Sequence, residues 1–328
     1  FVSLIHKYMK KVLFSFLALM CAIAVLAQPK VYFTKDISPE SLLKIYQALG
    51  VKAQGRVAVK ISTGEGGNTH YLKPTLIRNL VEHVSGTIVE CNTAYGGSRQ
   101  DVKKHWQTIH EHGFDSIFPV DIMDEYGEIR IPCKDRKHIK YDIVGEHLAH
   151  YDFMINLAHF KGHAMGGFGG VLKNASIGVA STGGKAYIHS AGYSSVPAEA
   201  WKNLPAQDDF IESMASAAQA VHDYMNRQST NGEPRVVYIN VMNNLSVDCD
   251  CDGHPAAPEL KDMGIMASTD PVALDKACLD MVFNHKATDG DNEKPLIQRI
   301  NRQHGTYIVD YAELIGLGSK QYTLVKLK

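Results

Sequence analysis

The 328-residue sequence predicts an α/β fold: a mixed, mostly parallel sheet with helices on both faces, preceded by a cleaved signal peptide. Three observations carry this expectation. Strand-like and helix-like stretches alternate along the chain, which calls for crossover connections. Two runs, "YDFMINLAHF" (Tyr151–Phe160) and "PRVVYINVMNNL" (Pro234–Leu245), are almost continuously apolar, the mark of strands covered on both faces. Four polar, glycine-bearing loops follow strand-like segments, and ligands in open sheets of this kind gather beyond the carboxyl ends of the strands.

At the start, Met9 opens "MKKVLFSFLALMCAIAVLAQ", in which Lys10 and Lys11 precede an apolar run from Val12 to Leu26. A charged start, a short apolar segment and the small residue Ala27 follow the plan of a bacterial secretory signal peptide. The run is shorter than the roughly 20 apolar residues of a spanning helix, so cleavage before Gln28 is expected rather than a retained anchor. Residues 1–27 are thus read as upstream residues plus signal peptide, and residues 28–328 as a single α/β domain, periplasmic or extracellular. The 34 basic residues, less Lys7, Lys10 and Lys11, face 35 acidic ones and leave a net charge of about −4. This balance lacks the basic face of a nucleic-acid binder. No later segment is apolar over a spanning length, so no membrane partner is expected after cleavage.

The elements then follow in order. "GRVAVKIS" (Gly55–Ser62) reads as a strand, "LKPTLIRNLVEHV" (Leu72–Val84) as a helix with Pro74 in its first turn, and "GTIVECN" (Gly86–Asn92) as the next strand. "RQDVKKHWQTIHEHGF" (Arg99–Phe114) is a helix stopped at Gly113, and Tyr151–Phe160 is a buried strand. "GYSSVPAEAWKNLPAQ" (Gly192–Gln207) lacks periodicity and reads as an insertion or lid. "DDFIESMASAAQAVHDYMNR" (Asp208–Arg227) is the longest amphipathic helix, and Pro234–Leu245 is another buried strand. "TDPVALDKACLDMVFN" (Thr269–Asn284) is a helix with Asp270 as N-cap and Pro271 at the first helical position. "YTLVKLK" (Tyr322–Lys328) closes the chain as a strand.

The most heavily loaded stretch is "HFKGHAMGGFGGVLKN" (His159–Asn174), which begins where the Tyr151–Phe160 strand stops. It matches neither the nucleoside-triphosphate loop nor G-x-G-x-x-G, because Leu172 stands where the last glycine belongs. Its glycines and a helix starting near Gly170 nevertheless point to an anion site on exposed N–H groups, formed by Gly166, Gly167, Gly169, Gly170, Lys173 and Asn174. The plainer alternative is that the glycines let the loop pass close beneath another element, with Lys173 solvated. His159 and His163 stand four apart, but Gly162 argues against a helix between them. His163 and His189 are candidates for acid–base work, with Lys173 and Lys185 beside them.

"DCDCDGH" (Asp248–His254) is the sharpest short motif. Thiols two residues apart do not readily bridge each other. They can both ligate one soft ion, iron or zinc, with His254 or Cys91 completing the site. Pairing with Cys91 or Cys133, or a polar turn that merely tolerates its cysteines, are the alternatives. Asp248, Asp250 and Asp252 add oxygen ligands or hydrate the loop, and Cys278 reads as an inert core residue.

"GHAMGGFGGVLKNASIGVAS", "DCDCDGH…DMGIMASTDPVALDKACLD" and "YAELIGLGSKQYTLVKL" together resemble the Domain of Unknown Function 362 family, and "VAVKISTGEGGNTHYLKPTLIRNLVE" is similar to its N-terminal strand–loop–helix. The resemblance covers essentially all of residues 28–328. Members often carry a fused ferredoxin-type module and are then described as iron–sulfur proteins; the C-x-x-C-x-x-C run of such a module is absent here. The family implies no settled catalytic residues. The order His163, Gly166–Gly170, Lys173 is also similar to the segment of nickel-pincer lactate racemases that holds their cofactor.

The expectation is an exported, metal-binding protein with a redox-related role. Its composite site would hold a metal through Cys249 and Cys251 and an anionic small molecule through the glycine loop, with a separate electron-transfer partner. The rivals are a racemase-like isomerase of a small hydroxy acid, in which His163 or His189 exchanges a proton and Lys173 or Lys185 engages cofactor or carboxylate, and a non-catalytic periplasmic binder of metal or anion.

Overall fold

The computed structural model describes residues 28–328, so the signal-peptide reading lies outside the described residues. The chain begins with β1 (Lys30–Thr34) and α1 (Pro39–Ala48), whose first turn is capped by the Ser38 hydroxyl accepting from the Ser41 N–H. β2 (Val57–Lys60), α2 (Pro74–His83), β3 (Thr87–Glu90), α3 (Val102–Glu111) and β4 (Val120–Ile122) continue the alternation. A two-stranded ribbon, β5 (Glu128–Pro132) with β6 (Tyr141–Gly145), and a single 3-10 turn lead into the buried β7 (Phe153–His159).

The glycine-rich stretch forms a second ribbon, β8 (Lys161–His163) with β9 (Gly167–Gly169), and runs straight into α4 (Val171–Ala175). Next come α5 (Thr182–His189), α6 (Pro197–Ala200), α7 (Gln207–Asn226) and β10 (Val236–Met242). The chain ends with β11 (Gly264–Ser268), α8 (Pro271–Phe283), α9 (Lys294–Arg302), α10 (Tyr307–Leu314) and β12 (Thr323–Lys326).

Eight strands form one sheet in the order β12-β1-β11-β10-β7-β2-β3-β4. β10, β7, β2, β3 and β4 run parallel, and β11 is antiparallel to both of its neighbours. Successive residues of β7 and β10 enter opposite cores. Phe153, Ile155, Leu157, Val237 and Ile239 pack with Leu42, Ile77 and Ile109 of α1, α2 and α3. Met154, Ala158, Val236 and Tyr238 pack with Leu172, Met214 and Leu274 of α4, α7 and α8. Both faces are therefore covered, as a near-continuous apolar strand requires. Among the described residues, no helix is long and apolar enough to cross a membrane.

The chain leaves β2 for β3 on one side and later places β7 on the other side of β2. At such a reversal the loops beyond the strand ends diverge and leave a crevice.

Candidate functional site

A cavity of about 200 Å³ occupies that crevice. Lys60 ends β2, Glu90 ends β3 and His159 ends β7; the loop after β10 contributes Asp250 and Cys251. The wall carries five basic side chains, Lys60, Arg99, Lys161, Lys173 and Lys185, and two carboxylates, Glu90 and Asp250. Both carboxylates are already engaged. Glu90 pairs with Arg99 at 2.6 Å, and Arg99 also reaches Glu65. Burial works against the Glu90 charge, yet Arg99, His105 and Lys60 outweigh it and hold its carboxyl well below the usual range.

Asp250 accepts from His159 Nδ1 at 2.7 Å and pairs with Lys161 at 2.8 Å, all three being buried. Burial opposes this charge too, but His159 and Lys161 keep the acid well below its ordinary value. The other ring nitrogen of His159 faces the Asn243 carbonyl at 2.6 Å, an arrangement that two ring N–H groups satisfy. Asp250 thus ties the end of β7 to the loop after β10.

The remaining cations are short of partners. Lys60 donates to the Ile61 carbonyl and to Asn174 Oδ1, and burial pulls it down to about 8. Lys185 donates to the Ala180 carbonyl. The Lys173 carbonyl accepts from the Gly178 N–H, but its ammonium has no hydrogen-bond partner among the described residues; burial, with Lys161 adding repulsion, pulls it down to about 7. Neither Lys173 nor Lys185 has a carboxylate within ion-pair distance among the described residues.

Two histidines show the cavity opposite faces of the same chemistry. His189 Nδ1 donates to the Lys185 carbonyl at 2.7 Å, so the neutral ring keeps its lone pair on Nε2. His163 Nδ1 accepts the Gly166 N–H at 2.8 Å, so its neutral ring carries the proton on Nε2. Burial holds both rings neutral at pH 7, His189 near 4 and His163 well below its usual value with the Lys173 charge adding to the effect. One ring offers an acceptor and the other a donor.

The glycine loop works differently from the expectation. The N–H groups of Val171 and Leu172, at the start of α4, donate to the two carboxylate oxygens of Asp275 at 3.0 Å each, so that end of the helix is closed to a ligand. Gly170 admits Asp275 so closely that a Cβ there would collide with its carboxylate, and a Cβ on Gly162 would run into the Val247 carbonyl. Gly169, Gly170, Lys173 and Asn174 line the cavity. Gly166 and Gly167 do not: Gly166 holds His163, and Gly167 lies against Gly305. Asn174 is spent on Lys60 and Asn156. The positive charge of the cavity comes from lysine side chains of several elements rather than from the N–H groups of the loop.

The cysteine motif also departs from the expected ligand set. Cys249 and Cys251 are bonded to each other, their Cα atoms 5.3 Å apart, a separation ordinary for a disulfide even in neighbours two apart. Cys91 lines the cavity, but its thiol donates to the Val179 carbonyl at 3.2 Å and burial pushes its pKa up. His254 is exposed, beside Gly67. One group whose ligand atoms all lie within 4.8 Å of one another is His163 with Cys249 and Cys251; a second, His138 with Asp209 and Glu212, shares no residue with the cavity wall. A Gly162 N–H donated to the Ser246 carbonyl at 2.8 Å carries β8 to the cysteine loop.

Several cavity residues escaped the sequence reading. Lys60 had a usable signal, a lysine ending an apolar strand, since a fully buried lysine is rare without a purpose. Arg99, Lys161 and Trp201, the last donating to the Ala94 carbonyl, had none that is local.

The cavity thus lies beyond the carboxyl edge of an α/β sheet, at the place where the strand order reverses. The chain belongs to the family described as domain of unknown function (DUF362), whose model matches residues 57–280. A protein of known crystal structure from Thermotoga maritima is similar at 14% identity and a TM-score of 0.44, over 76% of this chain and 60% of that one. The lactate racemase apoprotein from Thermoanaerobacterium thermosaccharolyticum is similar at 13% identity and a TM-score of 0.35, over 66% of this chain and 51% of that one. The chain spans less than two thirds of either structure, and neither likeness bears on chemistry. No curated protein matches the sequence.

Proposed function

We propose that the cavity binds a small organic or inorganic anion and that His163 and His189 are placed to move a proton on it. The observation that carries this reading is the charge imbalance of the wall: five bases, two carboxylates already engaged, and Lys173 left unpaired. Desolvated cations stay charged at lower cost when an anion joins them, so the cavity favours an anionic guest. Its size, below the usual 300–1,000 Å³ of larger ligand sites, suits a hydroxy acid or a phosphate rather than a nucleotide.

With a carboxylate on Lys173, the His189 lone pair can accept a proton and the His163 Nε2–H can donate one. That complementarity favours an isomerase or another proton-transfer enzyme over a passive binder. The test is titration calorimetry with lactate, malonate and inorganic phosphate. Lys173→Met is expected to weaken the best of them at least tenfold. Absence of binding by all three, or an unchanged affinity in Lys173→Met, removes the reading.

A second reading keeps a metal ion, because His163, Cys249 and Cys251 converge. Three ligands with an open fourth position suit zinc or iron. Loading requires two changes: the disulfide must be reduced, and His163 must surrender its Gly166 hydrogen bond. Elemental analysis of protein reduced anaerobically, against Cys249→Ser/Cys251→Ser, decides it; equal metal content in the two refutes a site at these sulfurs.

A further inference from the structure

Disulfides stabilise mainly by closing a loop in the unfolded chain, and the effect grows with the length of the loop. The Cys249–Cys251 bridge closes a loop of the smallest size, joining residues that a single residue already connects. As a staple it restrains almost nothing, and the loop it belongs to is held by other means. Glu65 N–H donates to the Asp250 carbonyl at 2.7 Å, Asn68 to the Asp252 carbonyl at 2.7 Å, and Asp250 is locked by His159 and Lys161. The bridge therefore calls for a chemical reason rather than a structural one.

Its surroundings supply that reason. Cys251 is partly exposed and lines both the inner cavity and a second, more open hollow of about 340 Å³. Cys249 is buried, and its Sγ accepts the Cys251 N–H at 3.3 Å. Both cysteines line the outer hollow, but Cys251 is the more exposed of the two, while Cys249 sits where a backbone donor can receive negative charge. Cys91, Cys133 and Cys278 are buried and unbridged, and none of them lines the outer hollow.

We propose that Cys249 and Cys251 form a redox-active pair that exchanges with a dithiol arriving through the outer hollow. A thiolate of the dithiol attacks Cys251 Sγ. The Cys249–Cys251 bond breaks, and its electron pair stays on Cys249 Sγ, against the Cys251 N–H. The second thiolate of the dithiol then attacks its own sulfur in the mixed disulfide and releases Cys251. The dithiol leaves as a disulfide, two electrons poorer, and its two protons end on Cys249 and Cys251. The pair is reoxidised by the reverse exchange with a disulfide oxidant. This proposal does not rest on the anion reading of the inner cavity.

The test uses the purified native protein with a metal chelator present. Dithiothreitol is expected to expose two thiols per chain without unfolding, and alkylation followed by peptide mass mapping is expected to place both labels on Cys249 and Cys251. In Cys249→Ser, Cys251 is expected to form a stable mixed disulfide with 5,5′-dithiobis(2-nitrobenzoate) at least tenfold faster than Cys249 does in Cys251→Ser. A bridge that resists dithiothreitol until the protein unfolds overturns the proposal, as does equal or reversed reactivity of the two variants. Should either variant fail to fold, wild-type labelling still decides the matter. Anion affinity measured on the reduced and oxidised wild type shows whether a failure here leaves the cavity reading standing.

Discussion

A largely desolvated lysine on the wall of a cavity, with no carboxylate within ion-pair distance, lowers its energy in one of two ways: it sheds its proton or it takes up an anion. Burial brings Lys173 to about 7, so near neutrality much of the population has shed it. A bound anion restores the charged form. Binding is therefore expected to take up a proton, and affinity to fall as pH rises from 7 to 9, by up to about tenfold per unit for one linked proton. Calorimetry in buffers of different ionisation heat reads the uptake, and a flat affinity over that range contradicts it. Asp142 is the opposite case. It is fully buried, no side chain hydrogen-bonds either carboxylate oxygen among the described residues, and burial raises its pKa to about 8. Between about pH 4 and 8 the folded chain keeps this proton while the unfolded chain loses it, so the group's contribution is full below 4 and drains away as pH climbs to 8. Asp142→Asn removes that loss. Its stability advantage over wild type is expected to be negligible at pH 4 and of the order of a few kcal/mol at pH 8, measured by urea unfolding at both.

Between β7 and α4, eleven residues do the work of two elements, and this is where the sequence was hardest to read. The stretch looked like a loop with N–H groups for an anion. The structure makes it a ribbon with three-residue strands, and Asp275 from α8 fills the helix start. Glycine content alone does not distinguish backbone exposed for a ligand from backbone packed against backbone, because both need the missing Cβ. The neighbours decide, and they lie far along the chain. Gly162→Ala is expected to lower stability by about 2–3 kcal/mol, because the Val247 carbonyl has to move. It is also expected to weaken anion binding, since Lys161 and His163 flank it. Thermal melts and the calorimetric titration check both. Full stability would mean that the two backbones are not in contact. The long periodic elements, by contrast, were legible. α7 and α8 appear within a residue or two of the expected bounds, and Asp270 caps α8 through the Val272 and Ala273 N–H groups at 2.9 Å.

Over the whole molecule, what the sequence disclosed was the parallel centre of the sheet, because strands buried on both faces leave unbroken apolar runs. β2, β3, β7 and β10 all fall inside the stretches read as strands. β1, β11 and the β5–β6 ribbon went unread: they are five-residue segments, and pairing that joins distant parts of a chain leaves no local mark. The candidate site was legible as a set of loops sharing one edge; the lysines that give the cavity its charge were mostly not. The pairing of β1 with β12 has a mechanical corollary. These strands are parallel neighbours, Lys30 opposite Thr323 and Phe33 opposite Lys326, although they stand near the two extremes of the described chain. Force applied between residues 28 and 328 draws the two strands along each other in opposite directions, loading every bond of the ladder at once instead of peeling them singly. An optical-tweezers pull from these positions should meet a distinctly higher rupture force than one in which the handle at 328 is moved to 320, ahead of the last strand, leaving that ladder unstressed.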